Sequence, residues 1–254
     1  MSGRKLAFLA MAVFSLSFSG CRKPEGGLNV RFTFSVDGAP LVLDSCMYVN
    51  AAGNEYEITD VQYFVSEFGI IDEKGMNVNF PDDGTHYVDA RMPGTLEWDV
   101  PAGIVCGKYN RIAFVFGLRR INNLTGRFLN PPENNMSWPQ TLGGGYHYMK
   151  INGRWKDGNG IMQPYNLHMG KVEKSDSPQE FADNVFIVTA RLSDFAITEG
   201  NTSTVTINMD INKWFETPNV YDFNVFGGAI MQNAEAQKIL AENGKDVFSV
   251  VSGL

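Results

Sequence analysis

Apolar and polar residues alternate along most of the chain. Leu28, Val30, Phe32, Phe34 and Val36 interleave with Asn29, Arg31, Thr33 and Ser35, the period-two pattern of a half-buried strand. Asp37-Gly38 then supplies a hairpin turn pair, and Leu41 to Val49 resumes the extended pattern. From Glu55 to Ile71 runs a long apolar-rich segment with Val61, Tyr63, Phe64, Val65, Phe68, Ile70 and Ile71. Its length predicts a bent strand, or two strands with a bulge near Ser66-Glu67. Further strands are predicted at Tyr87 to Ala90, Leu96 to Val100, Tyr109 to Leu118, Tyr146 to Trp155, Tyr165 to Met169, Asn184 to Leu192 and Thr202 to Met209, with an edge strand at Phe248 to Val251. Helical signals are confined to a turn or two at Ile211 to Phe215 and to Ala234 to Asn243. Asn233 is the N-cap of the second and Gly244 its C′ residue. Arg119 to Leu129 loses alternation and reads as a short helix or a loop. Asn122 to Gly145 is a long interruption of the kind that often carries function. The pattern predicts an all-β fold, a mainly antiparallel β-sandwich with a short C-terminal helix, as one domain over residues 28–254.

The first twenty residues read differently. Arg4 and Lys5 precede an apolar stretch from Leu6 to Phe18, shorter than the roughly 20 residues a spanning helix needs. The stretch ends in Phe18-Ser19-Gly20-Cys21, which resembles the lipobox of bacterial lipoproteins. Residues 1–20 are therefore expected to be a signal peptide, Cys21 the lipidated residue and residues 21–27 a tether. The alternative is an ordinary secretory signal with an incidental cysteine. The lipobox resemblance implies a protein of the cell envelope, lipid-anchored, in the outer membrane of a Gram-negative bacterium. Acyl chains on Cys21 would make the membrane its first partner.

Composition narrows the function classes. Of 254 residues, 28 are acidic and 21 basic, for a formal charge of −7. Without a basic block, nucleic acid is not an expected partner, because phosphate contacts supply most of that affinity. Three cysteines exclude a disulfide-dense scaffold and a cysteine-rich zinc array. Cys46 and Cys106 read either as a disulfide or as two reduced, buried thiols. There is no G-x-S-x-G elbow, P-loop, Rossmann fingerprint or H-E-x-x-H. Asp157-Gly158-Asn159-Gly160 reads as a hairpin turn rather than a calcium loop. Only three histidines, His86, His147 and His168, are present for metal or acid–base work.

One stretch carries more information. Asn130-Pro131-Pro132-Glu133-Asn134-Asn135-Met136-Ser137-Trp138-Pro139 is followed by Gly145-Tyr146-His147-Tyr148-Met149-Lys150-Ile151-Asn152-Gly153. It resembles the G-M-x-W-type turn and G-Y strand of the MbnP-like family, the methanobactin-associated periplasmic proteins and their lipoprotein relatives. Other pieces agree in order: Gln62-Tyr63-Phe64-Val65-Ser66, Tyr165-Asn166-Leu167-His168-Met169-Gly170, and Ile230-Met231 with the segment through Val247-Phe248. The resemblance implies a β-sandwich and copper binding. In some members it also implies a di-haem partner protein that oxidises a tryptophan to kynurenine. Two places depart from the pattern. Gln140 stands where many relatives carry a second aromatic, and Gly227-Gly228-Ala229 precede Met231 where a histidine is expected.

His147, Met149 and Ile151 are expected on one strand face, with Tyr146 and Tyr148 on the other. Imidazole beside thioether suits a soft copper ion; the plainer reading is a core histidine bonded to a carbonyl. His168, at a strand end beside Gly170, reads as a ligand or as structural, and His86 as a surface or edge residue. Met136 is either a thioether ligand or gap-filling packing. Trp138 is either a plug for the long loop or a redox-modified or ligand-lining residue. The leading expectation is a non-enzymatic metal-binding protein, copper first, in metal transport or homeostasis, with ligands drawn from His147, His168, Met136 and Met149. The alternative is a surface lipoprotein binding a glycan, peptide or partner protein through exposed Tyr146, Tyr148, Trp98 and Trp155. A hydrolase with dispersed carboxylates is a weaker third reading. The His147–His168 separation discriminates: rings within ~5 Å can share a metal and rings beyond ~8 Å cannot.

Overall fold

A computed structural model describes residues 23–45 and 48–252. The signal segment, Cys21 and Cys46 lie outside the described residues. Cys106 is half-buried with a free thiol.

In chain order the strands are β1 (Glu25–Val36), β2 (Ala39–Pro40), β3 (Tyr48–Val49), β4 (Glu55–Asp72), β5 (Asn77–Asn79), β6 (His86–Asp89), β7 (Glu97–Asp99) and β8 (Ile104–Val105). There follow β9 (Gly107–Phe116), β10 (Met149–Lys156), β11 (Met162–Met169), β12 (Val172–Lys174), β13 (Ser177–Ala182), β14 (Phe186–Ile197), β15 (Thr202–Asp210) and β16 (Phe248–Ser252). Two helices, α1 (Phe223–Phe226) and α2 (Ala234–Asn243), lie between the last two strands. One sheet runs β16-β15-β1-β2 with β7 and β8 also on β1; a second runs β11-β10-β4-β9-β14 with β3, β5 and β6 on β4; β12 and β13 form a separate two-stranded ribbon. No described helix is long and apolar enough to cross a membrane.

The alternation in β1 does what the sequence predicts: Leu28, Val30 and Phe32 are buried. They face aromatic residues of the second sheet. Tyr63 of β4 meets Phe32 and Phe34 edge-on, with centroids 6.3 and 6.1 Å apart, and Phe248 of β16 at 6.0 Å. Phe248 also packs on Phe114 and Phe116 of β9. Burying each such side chain is worth about 1.5–3 kcal/mol. The predicted bulge is present in β4: its pairing with β9 shifts register between Ser66 and Gly69, and Glu67 adopts a φ of 50°. The Asp37-Gly38 turn, with both φ positive, closes β1 onto β2.

Several details differ from the sequence reading. β1 begins at Glu25, not after residue 27, because Glu25 and Gly26 already pair with Val105 and Ile104. β1 and β15 pair in parallel, Val30 opposite Val205; strands so far apart in sequence leave no local signal of their direction. Helix α2 has the expected cap, with the Asn233 side chain accepting from Ala236 N at 3.0 Å. Gly244, however, is right-handed (φ −54°) rather than a left-handed C′ residue. The chain winds on into a 3-10 turn there, tied by Asn243 Nδ2 donating to the carbonyls of Trp214 and Asn219. Helix α1, a single turn capped by Asp222, carries too few residues for a periodic signal. The Asp157 turn joins β10 to β11 as a hairpin, its carboxylate accepting from Asn159 N and Ile161 N.

Tyr63 is fully buried and its hydroxyl has no hydrogen-bond partner. A Tyr63→Phe variant removes an unsatisfied polar atom without changing ring packing. Its urea-unfolding free energy should stay level or rise by up to about 1 kcal/mol; a loss beyond about 1 kcal/mol would contradict this account.

Candidate metal centre

The segment between β9 and β10 folds into a compact lobe. Residues 136–138 lie antiparallel to 145–147: Trp138 N donates to Gly145 O at 2.8 Å and His147 N to Met136 O at 2.6 Å. Asn123 Oδ1 accepts from Tyr146 N, and Thr125 Oγ1 from Gly145 N. The regular β10 strand starts at Met149, later than the predicted Tyr146, because 145–147 pair with the lobe instead.

That change moves His147. Met149 lies opposite Met169 and Lys150 opposite His168. Met149 and Met169 are both fully buried, so their face is the core side, and His168 belongs to the outer side with Lys150. The His147 ring nonetheless meets the His168 ring, with centroids 5.0 Å apart at 86°. His147 therefore does not share the Met149 face, as strict alternation predicted, and Met149 lies across the sheet from the histidine pair. Met136 contributes its carbonyl to the site, while its side chain joins the main core.

The bonds of each ring settle its tautomer. His147 Nδ1 lies 2.9 Å from Met136 O; a carbonyl only accepts, so Nδ1 carries the proton and Nε2 keeps its lone pair. Nε2 is buried and has no partner. His168 Nε2 sits 2.8 Å from Asn152 Oδ1; with that oxygen accepting, Nε2 carries the proton and Nδ1 the lone pair. Each ring thus has one nitrogen bonded to an oxygen and the other available, the arrangement typical of metal-ligating histidines. A metal about 2 Å from a ring nitrogen lies about 3 Å from the ring centre. Rings 5.0 Å apart can therefore share one ion with a bent N–metal–N angle.

Trp138 buttresses the pair. Its indole Nε1 donates to Leu142 O at 2.8 Å, and its ring meets His147 edge-on at 4.7 Å. It also covers Gly170, where a Cβ would lie 2.6 Å from the indole; only glycine admits the ring. Trp138 thus plugs the lobe and lines the histidine pair at once. Lys150 Nζ donates to Asn135 O at 2.7 Å, one residue from the carbonyl that holds His147.

Beside His168 opens a cleft of about 590 Å³ lined by Pro139, Thr141, Leu142, Asn166, Ala229 and Met231, among others. Met231 escaped the sequence-based ligand set because nothing local ties it to β11. Among the described residues, no group of three or more His, Cys, Asp or Glu could hold a metal.

The remaining expectations fare unevenly. His86 is half-buried at the start of β6, which pairs with β4 alone, as an edge position predicts; its ring is stacked between Phe32 (5.4 Å) and Trp98 (4.9 Å), and Nε2 bonds Thr95 O. It is not part of the centre. Tyr146, Tyr148 and Trp155 are buried, and Trp98 is half-buried on His86. The exposed aromatic surface expected for a glycan or peptide is therefore absent at these four residues, since their rings fill the core and the lobe.

Burial, helped by the Lys150 charge, holds the His147 pKa at about 3 and that of His168 at about 4. The unfolded chain, with imidazoles near 6.5, binds these protons first on acidification. The stability from burying two neutral rings is thus complete above pH 6.5 and is lost as pH falls towards 4. Urea unfolding of the metal-free protein should weaken by about 1 kcal/mol per histidine per pH unit below 6.5. A His147→Gln, His168→Asn double variant should lose that share of the slope. An unchanged slope, or NMR titration of either ring between pH 5 and 7, would refute the buried neutral pair.

A family profile described as MbnP matches residues 25–232. Among solved structures, MbnP from Methylosinus trichosporium superposes with a TM-score of 0.55 at 15% identity, covering 90% of this chain and 99% of that one. At that identity the likeness bears on the fold. No curated protein sequence matches. The profile spans β1 to β15, the Trp138 lobe and both site histidines, and the chain belongs to the MbnP family.

Proposed function

We propose that this protein is a lipid-anchored copper-binding protein of the cell envelope, acting in copper transport or homeostasis rather than as an enzyme. One observation carries the reading: two neutral imidazoles 5.0 Å apart, with His147 Nε2 buried and unpartnered. A buried lone pair without a donor costs about 1–3 kcal/mol, and an ion at that position would satisfy it. Neutral nitrogen donors with no carboxylate cluster beside them among the described residues favour a soft ion over calcium, magnesium or manganese. Membership of the MbnP family supports copper as the ion and a role linked to the methanobactin system. A di-haem partner protein acting on Trp138 is consistent with the contact between that indole and His147.

The bound ion would rest on His147 Nε2 and His168 Nδ1. Met136 O and Asn152 Oδ1 fix the ring orientations, and Trp138 keeps water from the His147 side. Copper supplies the soft acceptor for these lone pairs.

Titration with Cu(I) should give one equivalent bound, with a dissociation constant tighter than about micromolar. His147→Ala and His168→Ala should each weaken it at least about tenfold; absence of stoichiometric binding by the wild type would defeat the copper reading. Separately, Cys21→Ala should move the protein from the membrane fraction to the soluble one, and a variant that still pellets with membranes would refute the anchor.

A further inference from the structure

The fold takes hold of the chain almost at once after Cys21. Cys106 N donates to Pro24 O at 2.9 Å, and Glu25 and Gly26 pair with Val105 and Ile104. Gly200 N donates to Glu25 O at 3.2 Å, and Gly27 N to Asn201 O at 2.8 Å. Only the peptide spans from Cys21 to Pro24 are left as a tether. At about 3.6 Å per residue they keep the two Cα atoms within about 11 Å of each other.

Other turns share this end of the sandwich. The β14–β15 turn follows Ile197, which pairs with Gly107 at the start of β9. Tyr109 of β9 pairs with Phe195 on one side and with Asp72, the last residue of β4, on the other. Met76, in the turn after β4, accepts at its carbonyl from Asp72 N. Met76 and Val105 are exposed apolar side chains here. The histidine site lies at the other end. β4 runs back from Asp72 to Phe64, where the lobe closes, and β1 runs from Glu25 to Phe32, which packs on Tyr63. At about 3.3 Å per residue, each path spans about 25 Å.

We propose that the end formed by the start of β1, Val105 and the turns 73–76 and 198–201 is the surface this protein sets against the lipid bilayer, with the histidine cleft held about 25 Å above the headgroups, within reach of partners from the aqueous phase. The proposal rests on the reading of Cys21 as the lipidated residue. Acyl chains on that residue enter the bilayer only if Pro24 stays within about 11 Å of its surface, so the end that contains Pro24 is the one that faces it. A formal charge of −7 opposes the body lying flat on anionic headgroups. Met76 and Val105 are then the apolar side chains that meet the interface.

The test uses the full-length lipidated protein in vesicles of phosphatidylethanolamine and phosphatidylglycerol, with an acceptor dye on the lipid headgroup. A single donor dye is placed at Glu199→Cys, on the membrane end, or at Leu129→Cys, exposed on the lobe. Both carry Cys46→Ala and Cys106→Ala, and their fold is checked by circular dichroism. Transfer from position 199 should be at least about twice as efficient as from 129, given the height difference along the strands. A flexible Gly/Ser linker of roughly 20 residues inserted before Pro24, with an r.m.s. length of about 25 Å, should bring the two efficiencies together. Equal transfer from both sites, or more from 129, in protein that stays with the vesicles would overturn the orientation and leave the anchor standing. A difference that survives the linker would overturn the tether as its cause. Protein that leaves the vesicles would overturn the anchor reading, and the orientation with it. Hydrogen exchange on the unsubstituted protein is the second measurement: vesicles should slow exchange at 73–76 and 198–201, and slowing confined to 121–129 would sink the proposal.

Discussion

The backbone of Phe64 closes the excursion between β9 and β10. Its N–H donates to Tyr148 O at 3.0 Å and its carbonyl accepts from Gly117 N at 2.8 Å. The lobe between β9 and β10 thus begins and ends on one residue of the central strand. Joining the ends of so long a segment costs loop entropy, and packing at the same residue offsets it. The Phe64 ring stacks on Phe128 at 5.2 Å and meets Tyr146 and Tyr87. Gly117 sits at φ 89°, and a Cβ there would lie 2.7 Å from the Tyr148 ring. Ser66 Oγ donates to Gly117 O at 2.6 Å, next to the bulge in β4 that adjusts the pairing with β9.

The chemistry depends on that closure. His168 stands on a regular strand, whereas His147 reaches it only because the lobe holds residues 145–147 out of the β10 ladder. The same lobe brings Trp138 against His147 and sets Asn135 and Met136 as carbonyl partners for Lys150 and His147. A third segment, around Met231, is fastened from below by Gln237. Three stretches remote in sequence meet at one cleft. They set two neutral imidazoles near the Lys150 ammonium, unlike the carboxylate-rich sites of hard cations.

Much of the sandwich was legible in the residues. Alternation placed β1 and β15 because each has one face on the core, and the length of the apolar Glu55 to Ile71 run placed β4, which is buried on both faces at Tyr63 to Ser66, and signalled its bulge. Asn233 announced helix α2 through cap chemistry, which is local. The ordered fragments around Met136, Trp138, His147 and His168 pointed to the family. What stayed hidden was non-local. The parallel pairing of β1 with β15 joins residues about 175 apart in sequence, and the break in alternation at His147 comes from hydrogen bonds that tie His147 to Met136 and Gly145 to Trp138. Tyr146, Tyr148 and Trp155, read as exposed, are buried by partners that no pattern within their own strands reveals.

The sequence by itself determined the fold class, the family and the short supply of histidine, because these depend on local periodicity, ordered motifs and counting. The tertiary structure alone decided that two of the three histidines meet, that both are held neutral, that Met149 is turned away and that the segment around Met231 lines the cleft beside His168. Those outcomes depend on how distant segments pack and on which groups lose their water when they do.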